Sequence, residues 1–189
     1  MIETLKYWDT ELFLFINEKH NDFWDFIMYW ASDKLIWIPL YIFFMYLLIK
    51  HYKKDTIWIL ISLTVLITVS DQVSVLFKNI IMRLRPCHEP ALEGLVHLVK
   101  NKCGGEFGFF SSHASNHFAL AAFLSFLLGK KIKYFSFFIF LWAAFISYTR
   151  IYLGVHYPGD VIAGIIAGCG LGLMMAKIYS FFKRYRTQN

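Results

Sequence analysis

A chain of 189 residues that is 58% hydrophobic and 20% aromatic, with a mean hydropathy of +0.49, is too apolar for an ordinary soluble domain of that length and belongs in a bilayer. The formal net charge of +6 does not point to nucleic acid, because the lysines and arginines sit in short clusters between apolar runs, a pattern better matched to anionic lipid headgroups. Nothing divides the chain: it has no internal repeat, low-complexity tract or Ser/Gly linker, so 1–189 reads as one domain.

Segment 1–22 mixes Leu5, Trp8, Leu12, Phe15 and Ile16 with charged residues at roughly helical spacing, as an amphipathic helix lying at the interface would, so 1–30 is read as an amphipathic N-terminal segment. Glu3, Asp9, Glu11 and Glu18 interrupt any early apolar run that would form a cleavable signal peptide. Four apolar stretches, 31–49, 56–81, 133–152 and 160–182, approach or exceed the roughly 20 residues that a bilayer requires. A fifth, 113–129, starts polar with His113, Ser115, Asn116 and His117 and then turns fully apolar, as a span whose polar end faces a cavity. The expected fold is an all-α membrane bundle over 31–182, with five spans, or six if segment 8–30 supplies another, and a basic tail at 183–189.

In the five-span arrangement Lys50, Lys53 and Lys54, then Lys130, Lys131 and Lys133, then Lys183, Arg184 and Arg186 fall on one side, which is read as cytoplasmic. The long loop 82–112 and the short turn 153–159 fall on the other side, and they hold nearly all the unusual polar residues. Cys87 and Cys103 lie in that loop, where an oxidising compartment would pair them; the alternative is two free thiols. Cys169 stands apart among the glycines of the last span.

Near the outer end of the second span come Lys78 and, seven positions on, Arg85 and Pro86, a spacing of two helical turns that puts both cations on one face. Phe110-Ser111-Ser112-His113 opens the third span, where hydroxyls and the unpaired N–H groups of a helix start suit an anion. Thr149-Arg150, His156 and Asp160 complete the set. Cations, histidines, serines and a carboxylate gathered at one end of the spans suit a phosphoryl group.

These residues resemble the motifs of the type 2 phosphatidic acid phosphatase family, which shares its site with vanadium haloperoxidases. Lys78, Arg85 and Pro86 match its first motif in full. Ser111 and His113 match the second, with Phe110 and Ser112 standing where Pro and Gly are usual; Arg150, His156 and Asp160 match the third, with Thr149 in place of Ser. The resemblance implies a lipid phosphate or diphosphate phosphatase in which His156 attacks phosphorus, Asp160 orients His156, and His113 protonates the leaving oxygen and then activates water. It implies phosphate binding by Lys78, Arg85, Ser111, Ser112 and Arg150, with no metal ion and no cofactor. Undecaprenyl diphosphate leads the implied substrates, followed by phosphatidylglycerol phosphate, phosphatidic acid and lipid A phosphates, in a bacterial inner membrane with the site facing outward. No obligate protein partner and no nucleic acid follow from the pattern.

Each residue also has a plainer reading. Lys78 and Arg85 could snorkel at a span end, Asp160 could serve only as a helix cap, and Arg83 is read as an interfacial residue whose loss would be mild. His88, His97 and His117 receive no chemical role, and Asp71 either supports the site or packs against a polar residue such as Asn116. At the level of function the alternatives are a phosphotransferase or haloperoxidase on the same fold, or a small transporter or lipid-binding scaffold.

Overall fold

The computed structural model describes residues 2–188, and among these it contains seven α-helices and no β-strand. They are α1 (Ile2–Asn17), α2 (Asp22–Ala31), α3 (Ile38–Tyr52), α4 (Thr56–Ile81), α5 (Ser112–Leu128), α6 (Phe135–Tyr152) and α7 (Pro158–Gln188). By length and composition Lys34–Ile81, Phe135–Tyr152 and Pro158–Gln188 are apolar enough to cross a membrane, and Lys34–Ile81 contains both α3 and α4. The chain is an all-α membrane protein.

Helices α3 to α7 alternate in direction. At one end Lys183 Nζ lies 3.0 Å and Arg186 Nη2 3.5 Å from the Asp55 carboxylate, while Lys131 stacks on Tyr52 with its Nζ 4.8 Å from the ring centre. The three basic clusters therefore meet at one end of the bundle, as their spacing predicted. The ends of α4 and α6 and the starts of α5 and α7 meet at the other end, together with the 82–112 loop.

Both N-terminal helices belong to that second end. Asp9 of α1 accepts a hydrogen bond from Gly159 N, and Asn17 donates to Tyr152 O and His97 O. Helix α2 is tied there at both termini: Asn21 N donates to the Tyr152 hydroxyl, and Ser32 just beyond the helix bonds to Arg150. Helix α2 thus does not cross the bundle, and the sixth span considered for segment 8–30 is absent. The amphipathic segment is two helices rather than one, parted at 18–21, where Asn21 caps α2 by accepting from Trp24 N at 3.0 Å. Phe13 is fully buried, while Leu5, Trp8, Phe15, Phe23, Trp24 and Phe26 are exposed, a distribution suited to an aromatic layer at the lipid–water boundary.

Helix α5 is the axis of the bundle. Apart from its first turn and one flank it is buried, with Ala114, Ala119, Ala121, Phe123 and Leu128 at zero exposure. Its partner α7 comes close enough for backbone to touch backbone because Gly164, Gly168 and Gly172 recur every fourth residue and share one face. A Cβ at Gly168 would collide with Ser115 O, and one at Gly172 with Ala119 O. Gly170, two residues along, would meet nothing within 4 Å.

The 82–112 loop is held at several points. Cys87 and Cys103 are disulfide-bonded, with Cα atoms 6.0 Å apart, and Cys169 is free. Closing a loop of this length contributes about 3 kcal/mol in the chain-entropy account. His97 Nε2 lies 2.7 Å from Asp25 Oδ2, and Leu84 forms an antiparallel bridge with Phe107.

Two outcomes follow. Gly168→Ala should lower the unfolding temperature in detergent by several degrees, whereas Gly170→Ala should leave it unchanged or raise it, since alanine is the better helix former where it meets no atoms. Thiol labelling of denatured, unreduced protein should find Cys169 alone, and all three cysteines after reduction.

Candidate active site

Six of the eight residues singled out in the sequence, Lys78, Arg85, Ser112, His113, Arg150 and His156, line one cavity of about 710 Å³. They arrive from five segments, one of them the stretch after α4 that carries Arg85. Lys78 lies in the last turn of α4, and Ser112 and His113 in the first turn of α5; Arg150 is near the end of α6, and His156 is in the turn before α7.

Arg85 arrives by a route different from the one its spacing predicted. Helix α4 ends at Ile81, where Met82 turns left-handed (φ 48°, ψ 35°) and its N–H returns to Lys78 O at 3.0 Å. Arg85 is therefore not on the helical face of Lys78. It lies on an extended segment held by the bonds Arg85 N to Glu106 O (3.0 Å) and Gly108 N to Arg83 O (2.8 Å). Side chains two apart on extended backbone point the same way, so Arg83 and Arg85 both turn inward on either side of Leu84.

That alternation overturns the plain reading of Arg83. Its Nη1 lies 3.0 Å from Asp160 Oδ1 and its Nη2 2.7 Å from Asp9 Oδ2, and its guanidinium stacks 4.1 Å from the centre of the Tyr157 ring. Asp160 has no exposed surface, so its charge must be compensated within the protein, and Arg83 supplies the cation. The other Asp160 oxygen accepts from Tyr157 N at 3.1 Å and lies 3.5 Å from His156 Nδ1. Asp160 therefore does cap the start of α7, as its position after Pro158-Gly159 allowed, and it also faces the histidine ring. The ring's Nδ1 has no hydrogen bond within the ordinary range and is directed at that carboxylate; Nε2 lies 3.4 Å from Arg85 Nη1.

His156 is 2% exposed. Burial first, and the nearby Arg85, Arg150 and Lys78 cations second, push its pKa well below the ordinary histidine value, so the ring is neutral and its lone pair available at neutral pH.

On α5 the half-buried residues Ser112, His113, Asn116, His117 and Leu120 form a stripe at helical spacing along the cavity wall. Lys78 Nζ donates to Ser112 Oγ at 2.6 Å, Ser112 and Ser74 hydroxyls are 2.7 Å apart, and Ser74 donates to Phe110 O at 3.0 Å. Because Ser74 has a single proton, Ser112 is the donor between the two serines. His117 Nδ1 lies 2.7 Å from His113 O, which can only accept, so Nδ1 carries the proton. Asp71 and Asn116 both face this cavity, with no hydrogen bond joining them among the described residues.

Ser111 does not share the cavity. It is fully buried, its hydroxyl accepts from Ala114 N at 3.5 Å as the N-cap of α5, and its N–H donates to Asp160 O at 3.0 Å. That hydroxyl serves the start of the helix. Gly108, which no sequence motif marks, packs against His156: a Cβ there would stand 2.9 Å from Asp160 Oδ2 and 3.5 Å from His156 Nδ1.

Residues 56–184 match the family model of the PAP2 superfamily. The chain belongs to the PAP2 superfamily. Over 171 residues it is 44% identical to a lipid A 4'-phosphatase of Bacteroides thetaiotaomicron, covering 89% of this chain and 75% of that protein. A lipid A 4'-phosphatase of Porphyromonas gingivalis is 32% identical over 175 residues, covering 92% and 73%. Among solved structures, Aquifex aeolicus LpxE superimposes with a TM-score of 0.68 at 24% identity, covering 89% of this chain and 94% of that one. A PAP2-type phosphatidylglycerolphosphate phosphatase of Bacillus subtilis gives 0.68 at 19% identity, covering 96% and 87%; both show the shared fold. The chain is a membrane phosphatase that hydrolyses phosphate monoesters.

Removing Arg83 leaves the buried Asp160 beside the histidine, and the half-buried Asp9, without their cation. Arg83→Ala should lower kcat/KM by on the order of 100-fold, comparable to Arg85→Ala. A steady-state assay that found Arg83→Ala within threefold of wild type would return Arg83 to an interfacial role.

Proposed function

We propose that this enzyme removes the 4'-phosphate of lipid A through a phosphohistidine intermediate, at the outer face of a bacterial cytoplasmic membrane and without a metal ion. The observation that carries the chemistry is the convergence of Lys78, Arg85 and Arg150 with His113 and His156 on one cavity. The substrate rests on the two lipid A 4'-phosphatases among the relatives, which favour lipid A over undecaprenyl diphosphate, the first choice of the sequence reading.

In this scheme His156 Nε2, on the ring edge away from Asp160, attacks phosphorus as the bond to the sugar oxygen breaks. Asp160 stabilises the positive charge that develops on the ring. His113 gives a proton to the departing sugar oxygen, then takes one from the water that hydrolyses the phosphohistidine and releases inorganic phosphate. Lys78, Arg85, Arg150 and Ser112 hold the equatorial oxygens, where charge accumulates. Ser112, in place of the glycine usual in the family, would exchange its bond to Ser74 for one to phosphate.

The outward orientation is supported by the basic clusters at the opposite end of the bundle and by a disulfide beside the site, which an oxidising compartment favours. A transport role fits less well, since the ionisable side chains gather at the two ends of the bundle rather than along a path through it, with Asp71 lying deeper in a span.

Phosphate release from lipid A, undecaprenyl diphosphate, phosphatidylglycerol phosphate and phosphatidic acid in detergent with EDTA present tests the substrate. Lipid A should be turned over at least about tenfold faster than the others, and faster release from undecaprenyl diphosphate would overturn the choice. His156→Ala should abolish turnover and His113→Ala should reduce it by orders of magnitude. Rapid quenching of wild type should trap an acid-labile, base-stable phosphoryl group on His156. Strict dependence on an added divalent ion, or a His156→Ala enzyme with a tenth of wild-type rate, would sink the mechanism.

A further inference from the structure

A second cavity of about 470 Å³ opens beside the reaction cavity, and Lys34, Cys103, Gly104, His113 and Arg150 form a wall common to both. Its remaining lining includes Tyr29 of α2, Ser32 just beyond that helix and Lys102 from the disulfide-bonded loop. Its charge is lopsided. Lys34, Lys102 and Arg150 face it, and among the described residues none of the three forms an ion pair. The carboxylate in its wall, Asp33, already accepts from Leu35 N at 2.9 Å.

The groups bonded to these cations are neutral. Lys102 Nζ donates to the Tyr29 hydroxyl at 2.9 Å, and Arg150 donates through Nη1 to Ser32 Oγ, while its buried Nε has no hydrogen-bond partner. Lys100 adds a further cation, 3.9 Å from the centre of the Tyr29 ring. An excess of cations around a concave space, one of them a half-buried arginine with a buried orphan donor, makes an anion site.

We infer that this annex is a subsite for a second anionic group on the same headgroup, occupied while the reacting phosphate lies against His156. The inference rests on the lipid A reading above. Lipid A is a phosphorylated disaccharide, and its second phosphate gives a headgroup with two anions separated by sugar, in keeping with two cationic spaces divided by Arg150 and His113. Lys102 and Tyr29 touch only the annex and therefore select the substrate, whereas Lys34 and Arg150 serve both spaces. The disulfide at Cys103 holds the Lys102 backbone beside that division.

The test compares two substrates, lipid A with both phosphates and its analogue carrying the 4'-phosphate alone, in wild type and in Lys102→Ala, Lys102→Glu and Lys102→Arg. For the doubly phosphorylated lipid, Lys102→Ala should raise KM about fivefold and Lys102→Glu more, with kcat retained and Lys102→Arg close to wild type. The singly phosphorylated lipid should show no such graded rise. Equal effects on both lipids, or none on either, would overturn the subsite while leaving the proposed function intact. Wild-type enzyme inert on both lipids would overturn the lipid A reading and the subsite with it. Lys102 is exposed and outside the helices, so these variants retain the fold.

Discussion

A carboxylate without water around it must be neutralised by the protein, and the outer end of this bundle is organised by that need at Asp160. One of its oxygens takes a guanidinium from the extended segment after α4, and the other takes the N–H that opens α7 and faces the histidine ring. Its own carbonyl receives the N–H of Ser111 at the start of α5. Through Arg83 the network reaches Asp9 on α1, whose second oxygen accepts from Gly159 N. Four segments far apart in sequence are thus placed relative to His156 by one buried charge and the groups that satisfy it.

The bundle beneath supplies the platform. Glycines on α7 let it meet α5 at main-chain distance, and α5 turns a polar stripe toward the cavity while burying most of its remaining surface. The first turn of α5 therefore presents Ser112 and His113 at a fixed height beside the turn that carries His156. Lys78 and the two serines next to it complete that wall with a relay of hydrogen bonds ending on Phe110 O.

Much of this was legible in the sequence because hydropathy and motif spacing are local signals. Apolar runs marked α3 to α7, lysine clusters marked one end, and the polar start of segment 113–129 marked a helix facing a cavity. What was not legible depended on contacts across the chain. The salt bridge from Arg83 to Asp9 joins residues 74 apart, and nothing near either residue announces it. The spacing from Lys78 to Arg85 suggested one helical face, but the chain leaves the helix at Met82 and reaches the same cavity along extended backbone. Ser111 carried a motif hydroxyl that the helix start itself uses. The Arg83-Leu84-Arg85 alternation was the one overlooked local clue, and it becomes readable only once the backbone there is known to be extended.

The close meeting of α5 and α7 has a mechanical consequence. Two helices in main-chain contact act as a stiff post, since backbone cannot be compressed or repacked as side chains can. His113 stands at the top of one half of that post and His156 beside the other. Acyl-chain length and lateral pressure act on the lipid-facing flanks of α3, α4, α6 and α7, where exposed Ile42, Leu76, Phe137 and Ile166 contact the surroundings. Main-chain contact resists such loads better than side-chain packing does, which suits a phosphatase whose own substrate is one of the lipids around it.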